Sequence, residues 1–428
     1  MTLQSYHTHI AAKRIGFEPC GFSDVDEADL QARLFDHQRH GTAFALRSGS
    51  SALFYDTGLG KTGMALAWGD EVVRRTNKPV TNYERLEGVN PDLWGGVILD
   101  ESSILKSFTG KTTRKLIEAF SRTPYRLAAS ATPAPNDHTE LGQHSEFLGV
   151  MRAPEMLSRW FIADQTNAGR YRLKKPAVRP YWDWVASWAR CVSKPSDLGF
   201  SDDGFELPPL NLQRHVVAAD RSIDAGSEKT GQGLLFRIPD VSATSIHREK
   251  RLTSEARAAR VAELVSAEPG EAWVIWVETD YDADAVMAVL PEAVEVRGSM
   301  SVERKEERLT AFTSGEVRIL VTKPSIAGYG LNWQHCARMA FMGLSFSYES
   351  FYQAVRRCWR FRQLRPVDAH VVCADTEEAA WQVVSRKAGD HDTMKREMTA
   401  AMARAARHSA VLATYHPEQE ARIPAWLA

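Results

Sequence analysis

Three short polar segments, far apart in the chain, have residue types that could act together on a phosphate chain. Residues 56–62 are Asp-Thr-Gly-Leu-Gly-Lys-Thr, residues 100–103 are Asp-Glu-Ser-Ser, and residues 353–360 are Gln-Ala-Val-Arg-Arg-Cys-Trp-Arg. Between them they offer a glycine-containing loop with a lysine, two adjacent carboxylates and several arginines. Cleavage of a nucleoside triphosphate needs these same groups, because it depends on positioning and on neutralising phosphate charge.

The first segment has the composition of a phosphate-binding loop. Its glycines let the backbone approach phosphate oxygens, its lysine can neutralise them, and the last threonine can hold Mg²⁺. The residues expected to contact the nucleotide are Thr57, Gly58, Leu59, Gly60, Lys61 and Thr62. Tyr55 stands where the strict motif has its first glycine, so the segment is only a modest signal by itself.

The second segment follows an apolar run, Val-Ile-Leu at residues 97–99. Asp100 is suited to hold a metal ion and Glu101 to activate water. Two adjacent acids are more often a solvated turn or a helix start, so this pair is a weak signal when taken alone.

The third segment carries Arg357 and Arg360, which are three positions apart and would share one helix face. A charged, solvated helix face is the alternative interpretation. The order and context of the three segments favour the functional one. An apolar run at residues 51–55 precedes the loop, and a helical pattern follows it, which gives the strand, loop and helix that the motif requires.

Composition limits the class of protein. The 428 residues are 44% hydrophobic and 25% charged, which is ordinary for globular domains and is enough for two or three of them. The net charge is −1, so any contact with nucleic acid must come from local patches. Five scattered cysteines without a CxxC pair, no apolar stretch of membrane-spanning length and no signal-peptide pattern predict a cytoplasmic protein.

Periodicity predicts an α/β fold with two lobes, since short apolar strands alternate with helical patterns in two regions. In the second lobe we expect strands at residues 273–277, 317–321, 339–342 and 370–373, the first three buried in a parallel sheet. With the loop in one lobe and the arginines in the other, a nucleotide cleft is expected between them. The predicted parts are a helical extension (1–34), a first lobe (35–210) with a helical insertion (136–190), a linker (211–245), a second lobe (246–380) and a helical tail (381–428).

Residues 30–380 resemble the superfamily-two helicases, in the branch of the Swi/Snf-type DNA translocases, and are most similar to helicase-like ATPases of bacteriophages and prophages. The resemblance implies two RecA-like lobes that bind ATP and Mg²⁺ and engage DNA, most often duplex DNA without sequence specificity, in a protein of a bacterial or phage-infected cell. A monomer is expected. The matching positions, in motif order, are Gln38 (adenine recognition), Lys61 and Thr62, Asp100 and Glu101, Ser130, Ala131 and Thr132, then Lys323, Ser325, Gly330 and Asn332, and finally Gln353, Arg357, Arg360 and Gln363.

The resemblance also implies the role of each group. Lys61 and Mg²⁺, held by Thr62 and Asp100, would clamp the β- and γ-phosphates, and Glu101 would orient and deprotonate water. Arg357 and Arg360 would complete the site when the lobes close, and Gly330 and Gln353 would also face the nucleotide. Ser130, Ala131 and Thr132, with Lys323, Ser325 and Asn332, would couple the site to DNA. Trp333 and Trp359 could stack on bases, although packing is the more common role of a tryptophan.

The sequence departs from the family pattern in the length of one interval and at one position. Only 38 positions separate Thr62 from Asp100, which leaves room for one helix-plus-strand crossover but not for the further strand and loop of the family. We therefore infer an internal deletion near Val80 and Thr81, which would keep the ATP ligands and remove part of the DNA grip. The second departure is Arg362, where the family usually has glycine.

Alternatives to a translocase remain. True strand separation depends on a wedge element that no short motif marks. The inferred deletion could instead leave a catalytically impaired nucleotide- or DNA-binding module. A metabolic kinase with a phosphate loop is disfavoured by the arginine segment and the second lobe.

Overall fold

A computed structural model describes residues 17–82, 90–108, 110–164, 170–219, 243–327 and 331–412. The chain divides into two compact units. The first comprises residues 1–202 together with 390–428, and the second comprises residues 203–389. The first unit is therefore built from both ends of the chain.

The first unit is an α/β unit around a five-stranded parallel sheet with the order β2-β3-β4-β1-β7. A separate antiparallel hairpin is formed by β5 and β6. The strands are β1 (Ser50–Tyr55), β2 (Val80–Asn82), β3 (Gly96–Asp100), β4 (Tyr125–Ala129), β5 (Phe161–Ala163), β6 (Tyr171–Leu173) and β7 (Ala189–Val192). The helices are α1 (Asp36–Ser48), α2 (Lys61–Thr76), α3 (Lys111–Ala119), α4 (Leu141–Phe147), α5 (Ala153–Trp160) and α6 (Val178–Trp188).

The second unit has a six-stranded parallel sheet with the order β10-β11-β9-β12-β13-β8. Its strands are β8 (Leu210–Val217), β9 (Trp273–Val277), β10 (Val294–Val296), β11 (Ile319–Thr322), β12 (Arg338–Met342) and β13 (Val367–Ala374). Its helices are α7 (Ala243–Leu252), α8 (Ser254–Ala267), α9 (Asp280–Val289), α10 (Val302–Ser314), α11 (Pro324–Ala327) and α12 (Tyr348–Val355). The last helix, α13 (Glu378–Leu412), begins in the second unit and continues into the first.

The predicted fold class is confirmed. Both sheets are parallel and flanked by helices, as in RecA-like lobes. The central strands form where the sequence has unbroken apolar runs, because a strand covered on both faces needs apolar side chains in both directions. Every residue of β1 and of β9 is buried, and both strands lie at the positions predicted.

One strand, β2, lies between α2 and β3 among the described residues 63–82 and 90–95. It pairs with β3 in register Val80↔Gly96 and forms the edge of the sheet. The expectation that only one crossover fits in this interval is wrong, because β2 and β3 are parallel and the chain between Asn82 and Gly96 must cross over a second time. The deletion inferred from it stays a prediction.

Aromatic side chains of the segment from residue 136 to 188 form the core beneath the first sheet, as expected from a packing role. Trp182 and Trp188 are almost fully buried, and Trp160 packs against Tyr181 and Trp184 with ring centroids 5.7 and 4.5 Å away. The insertion predicted to be mostly helical contains strands as well. The segment contains the β5–β6 hairpin, and β7 directly after α6 joins the main sheet beside β1.

Two predicted parts of the chain differ from the structure. Residues 17–34 form turns and irregular chain rather than a helix. Residues 211–217, assigned to the linker, belong to β8, which pairs along its whole length with β13. Residues 1–16, 220–242 (including the loop expected at 225–233) and 413–428 lie outside the described residues.

The predicted helical tail is helical but is not a separate part. From residue 390 onward α13 belongs to the first unit and buries Met394, Met398, Ala401 and Met402 in its core. These positions recur every three or four residues, so they lie on one helix face. Within the described part of the chain, no helix combines the length and the apolar character that crossing a membrane requires.

Candidate functional site

Strands β3, β4 and β1 are neighbours in the first sheet and run parallel, so their carboxyl ends meet at one edge. Asp56 directly follows β1, Asp100 ends β3, and Ser130 directly follows β4. Ligands of open parallel sheets bind at the carboxyl ends of the strands. The topology therefore brings the first two predicted motifs and the Ser-Ala-Thr segment to one place.

The loop between β1 and α2 depends on two glycines with positive φ. Gly58 has φ +97° and Gly60 has φ +82°, a backbone region that side chains with a Cβ rarely adopt. The loop closes through the Leu59 amide, which donates to the Asp56 carbonyl at 3.2 Å, and α2 begins directly at Lys61. The amino end of a 16-residue helix thus points at the loop, which is where a phosphate is favoured.

Lys61 is folded back over the loop that contains it. It is 9% exposed, and its Nζ donates to the carbonyl of Tyr55 at 2.9 Å and to that of Asp56 at 3.4 Å. The ammonium group is therefore held at the mouth of the loop by neutral acceptors. A phosphate oxygen would be a stronger, charge-assisted acceptor for the same protons.

Thr62 and Asp100 are brought together as the sequence predicts for a metal site. The Thr62 hydroxyl donates to Asp100 Oδ2 over 3.4 Å, although the two residues are 38 positions apart. A hydroxyl and a carboxylate oxygen at this separation fit Mg²⁺, which prefers oxygen ligands and is often held by few protein groups.

Glu101 has an unusual backbone conformation. Its φ is +54° and its ψ is +55°, in the left-handed region, which costs energy for a residue with a side chain. Such strain persists only where the surroundings enforce it, and it is concentrated at functional positions. The Asp100 carboxylate contributes by accepting from the Glu101 amide at 3.2 Å.

Gln38 lies against the phosphate loop. Its Nε2 donates to the Leu59 carbonyl at 3.0 Å and its Oε1 accepts from the Phe35 amide at 3.1 Å. A Cβ on Gly60 would come within 2.2 Å of the Gln38 amide nitrogen, so a side chain at this position would displace the end of Gln38. Gln38 braces the loop, and its role in recognising adenine stays a prediction.

The Ser-Ala-Thr segment continues the ladder between β4 and β1. The Ser130 amide donates to the Leu53 carbonyl at 3.2 Å, and the Thr132 amide donates to Ser130 Oγ at 3.1 Å. Ser130, Ala131 and Thr132 are all buried. The segment is therefore tied by hydrogen bonding and burial to the edge of the sheet from which the loop after β1 begins.

His144, which the sequence analysis missed, connects the second motif to α4. Its Nε2 lies 3.1 Å from Ser102 Oγ and its Nδ1 lies 3.4 Å from the Glu140 carbonyl. Burial lowers the pKa of His144 to about 4, so the ring is neutral near pH 7. Burial also raises the pKa of the Glu140 carboxyl to about 7. A histidine within a helical pattern gave no sequence signal for this contact.

Lys395 of α13 is a second residue that the sequence did not indicate. Its Nζ forms an ion pair with Asp56 Oδ1 at 2.6 Å, across 339 positions of the chain. Both side chains are largely buried, at 16% and 8% exposure. The tail predicted as a separate extension therefore supplies a charged group directly to the start of the phosphate loop.

In the second unit, the two predicted arginines meet at one carbonyl group. Arg357 and Arg360 donate to the Leu331 carbonyl at 2.8 and 3.0 Å, and Arg357 also lies 3.4 Å from Gln353 Oε1. The prediction that they share a helix face is wrong, because α12 ends at Val355 and both follow in turns. Gln353 and Arg357 are buried, and burial lowers the pKa of the Arg360 guanidinium.

The remaining positions of the second unit vary in accessibility. Lys323 forms an ion pair with Asp280 at 2.8 Å, whereas Ser325 and Asn332 are exposed. Gly330 lies outside the described residues. Gln363 is buried and donates to three carbonyls of the second unit, so it has a structural role there.

Trp333 is fully buried and donates to Thr313 Oγ1 at 3.0 Å, which confirms the packing interpretation. Trp359 is half-buried, with its Nε1 bonded to the Pro208 carbonyl at 2.7 Å and Arg356 over its ring at 4.3 Å. Arg362 has φ +71°, the conformation that a glycine adopts without cost. The departure from the family pattern is thus a strained turn.

Comparison with known proteins gives the class of the second unit. Residues 256–362 match the model of the helicase conserved C-terminal domain, about a quarter of the chain and all within that unit. The second unit therefore carries a helicase-like domain. No curated protein matches the chain.

Two solved structures are similar in outline. The Sulfolobus solfataricus SWI2/SNF2 ATPase core in complex with dsDNA is 14% identical, with a TM-score of 0.38, over 88% of this chain and 98% of that one. The C-terminal part of the Fun30 ATPase domain is 15% identical, with a TM-score of 0.28, over 32% of this chain and 52% of that one.

Proposed function

We propose that this protein is a helicase-like ATPase motor that hydrolyses ATP to ADP and phosphate and engages DNA. The observation that carries the proposal is the convergence of Lys61, Thr62 and Asp100 at the carboxyl edge of the first sheet. A helicase C-terminal domain in the second unit is the expected companion of such a site.

The residues of the first unit have separate tasks in this proposal. Lys61 exchanges the Tyr55 and Asp56 carbonyls for oxygens of the β- and γ-phosphates. Thr62 and Asp100 hold Mg²⁺, which when bound neutralises phosphate charge. Glu101 orients the attacking water and accepts its proton. Its strained backbone fits this task, because a residue fixed in one conformation loses little entropy when the water is positioned.

Arg357 and Arg360 are proposed to stabilise the charge that develops on the γ-phosphate. An arginine in this role contributes about three orders of magnitude or more in rate. In the described structure both guanidinium groups are bound to the Leu331 carbonyl, a neutral acceptor that a phosphate oxygen can replace.

We further propose that stimulation of hydrolysis by DNA is weak or absent. The support is an open groove of 590 Å³ between α2 and the edge strand β2, at the place of the inferred deletion. Its wall includes Leu66 and Val73, which are 58% and 41% exposed. Large apolar side chains on one helix face are normally covered by a further element of the sheet.

The test is phosphate release from ATP by the whole protein, without DNA and with single- or double-stranded DNA. Basal hydrolysis is expected, with a loss of at least about a hundredfold in Lys61→Ala and in Glu101→Gln. Arg260→Met, in an exposed ion pair of α8, is the matched control and should leave the rate unchanged. Hydrolysis that survives Lys61→Ala would mean that the site is wrongly assigned.

Further measurements distinguish a DNA-stimulated motor, a binding module, a helicase and a translocase. Robust stimulation of the wild type by duplex DNA would overturn the proposed loss of DNA coupling. If phosphate release does not differ between the wild type and Glu101→Gln while ATP still binds, the protein is a nucleotide- or DNA-binding module. Strand-displacement and triplex-displacement assays with an active preparation separate a helicase from a translocase.

A further inference from the structure

The carboxyl end of the chain contributes a charge to the phosphate loop through the ion pair of Lys395 with Asp56. No motif of the sequence includes Lys395, and the contact spans 339 positions. The lysine lies between Met394 and Met398, which are fully buried in the core of the first unit and hold this part of α13 in place.

The backbone of Asp56 stabilises the loop, whereas its negative charge is unfavourable for phosphate binding there. Its carbonyl accepts from the Leu59 amide at 3.2 Å and from Lys61 Nζ at 3.4 Å, so the residue anchors the two ends of the loop. Its carboxylate is almost buried, at 6% exposure of the residue. A carboxylate at this place, once deprived of a cation, repels the phosphates of a nucleotide, and the repulsion is strong where water is excluded.

Lys395 counters this repulsion between Asp56 and the phosphates. Removal of one partner of a buried ion pair is far more costly than keeping the pair intact. The ammonium group balances the Asp56 charge from the side of α13, and it leaves the Asp56 carbonyl available to Lys61 and Leu59.

We propose that Lys395 is a positioning residue for the nucleotide site, which sets ATP affinity by neutralising and orienting Asp56 at the entrance of the phosphate loop. Docking of α13 on the first unit is then a requirement for tight nucleotide binding. This inference rests on the proposed function, because it concerns the same site.

The test measures the dissociation constant of Mg·ATP by calorimetry at low ionic strength, together with KM and kcat, for the whole protein and its variants. Lys395→Met is expected to raise the dissociation constant and KM about tenfold or more, with a smaller change in kcat. Lys395→Arg keeps the charge and should restore most of the affinity.

Two further variants separate this role from a structural one. Arg404→Met removes another ion pair of α13 in the first unit, with Asp183 at 2.6 Å, and should leave ATP affinity unchanged. The double variant Asp56→Asn with Lys395→Met removes both charges, and it should bind ATP more tightly than Lys395→Met alone.

The outcomes separate a failure of this inference from a failure of the proposed function. If the wild type binds ATP and Lys395→Met binds it equally well, the inference is wrong and the proposed function stands. If the double variant and Lys395→Arg are as weak as Lys395→Met, the lysine has only a packing role and the inference is overturned. A wild type that does not bind ATP at all overturns both.

Discussion

The pair of Glu140 and His144 allows a sharp prediction about pH, because burial moves their pKa values in opposite directions. The Glu140 carboxyl has a pKa of about 7, and His144 has a pKa of about 4. Asn136 donates to both carboxyl oxygens of Glu140, at 3.1 and 2.7 Å, which partly offsets the effect of burial. We choose Glu140→Gln, which removes one of the two titrations and keeps the shape of the side chain.

The signs of the two contributions are opposite. Between pH 4.5 and about 7 the folded protein keeps the Glu140 proton that the unfolded chain loses, so stability falls as pH rises. Between about pH 4 and 6.5 the unfolded chain protonates the histidine while folded His144 stays neutral, so stability rises with pH. At about 1.4 kcal/mol for each pH unit, each contribution amounts to about 3 kcal/mol, and the two largely cancel in the wild type.

Glu140→Gln is therefore expected to gain about 3 kcal/mol relative to the wild type between pH 4.5 and pH 8. A fixed loss of about 1 kcal/mol at every pH is expected as well, since a glutamine oxygen cannot accept from both Asn136 groups. The assay is native-state hydrogen exchange of the amides of β4, the strand next to the site, corrected for intrinsic exchange at each pH.

His144→Gln supplies the mirror experiment, in which the remaining Glu140 titration should make stability fall with pH over the same range. A stability difference between Glu140→Gln and the wild type that does not change with pH would refute the reasoning. It would mean that the buried carboxyl ionises in the folded state as readily as in the unfolded chain.

The remaining predictions concern the second unit. Arg362→Gly removes the strain of a left-handed residue at φ +71° and loses the contact of Arg362 with the Phe361 ring at 5.3 Å. The free energy of unfolding should rise by up to about 1 kcal/mol, measured as a higher midpoint of thermal unfolding. Arg257→Met leaves Asp282, its fully buried partner at 2.9 Å, without this cation, and should cost about 3–5 kcal/mol in urea unfolding. Arg260→Met, from an exposed pair on the same helix, should cost less than about 1 kcal/mol, and equal losses in the two variants would contradict the role of burial.

The sequence predicted the strands that are buried on both faces. An uninterrupted apolar run has only one favourable place in an α/β unit, the middle of a sheet, and β1, β3 and β9 all lie where such runs occur. Edge strands were missed for the complementary reason. Strand β8 has three consecutive polar residues at 213–215 and leaves Leu212 and Val216 exposed, so it lacks the regular pattern that would distinguish a strand from a linker.

The local conformation of residues 56–62 was predictable because local chemistry alone determines it. Glycines with positive φ, a lysine and a helix start are all within seven residues. Long-range contacts were not predictable. Helix α12 ends without a glycine or proline in the turn that follows, where the guanidinium groups of Arg357 and Arg360 bind a carbonyl 26 and 29 positions earlier. Periodicity in the sequence has no information about such a partner.

The position of α13 depends on long-range contacts and was likewise not predictable, and these contacts stabilise the first unit. The chain leaves the first unit at residue 202 and returns at residue 390, so its core is completed only by residues from the far end of the sequence. Four side chains of α13 are buried there, and removing even one buried methionine costs about 2–5 kcal/mol. Residues 1–202 alone would therefore expose an apolar surface and lose the cation that faces Asp56. The motif proposed to bind phosphate lies within seven residues, whereas the ion pair at its start comes from the last helix of the chain.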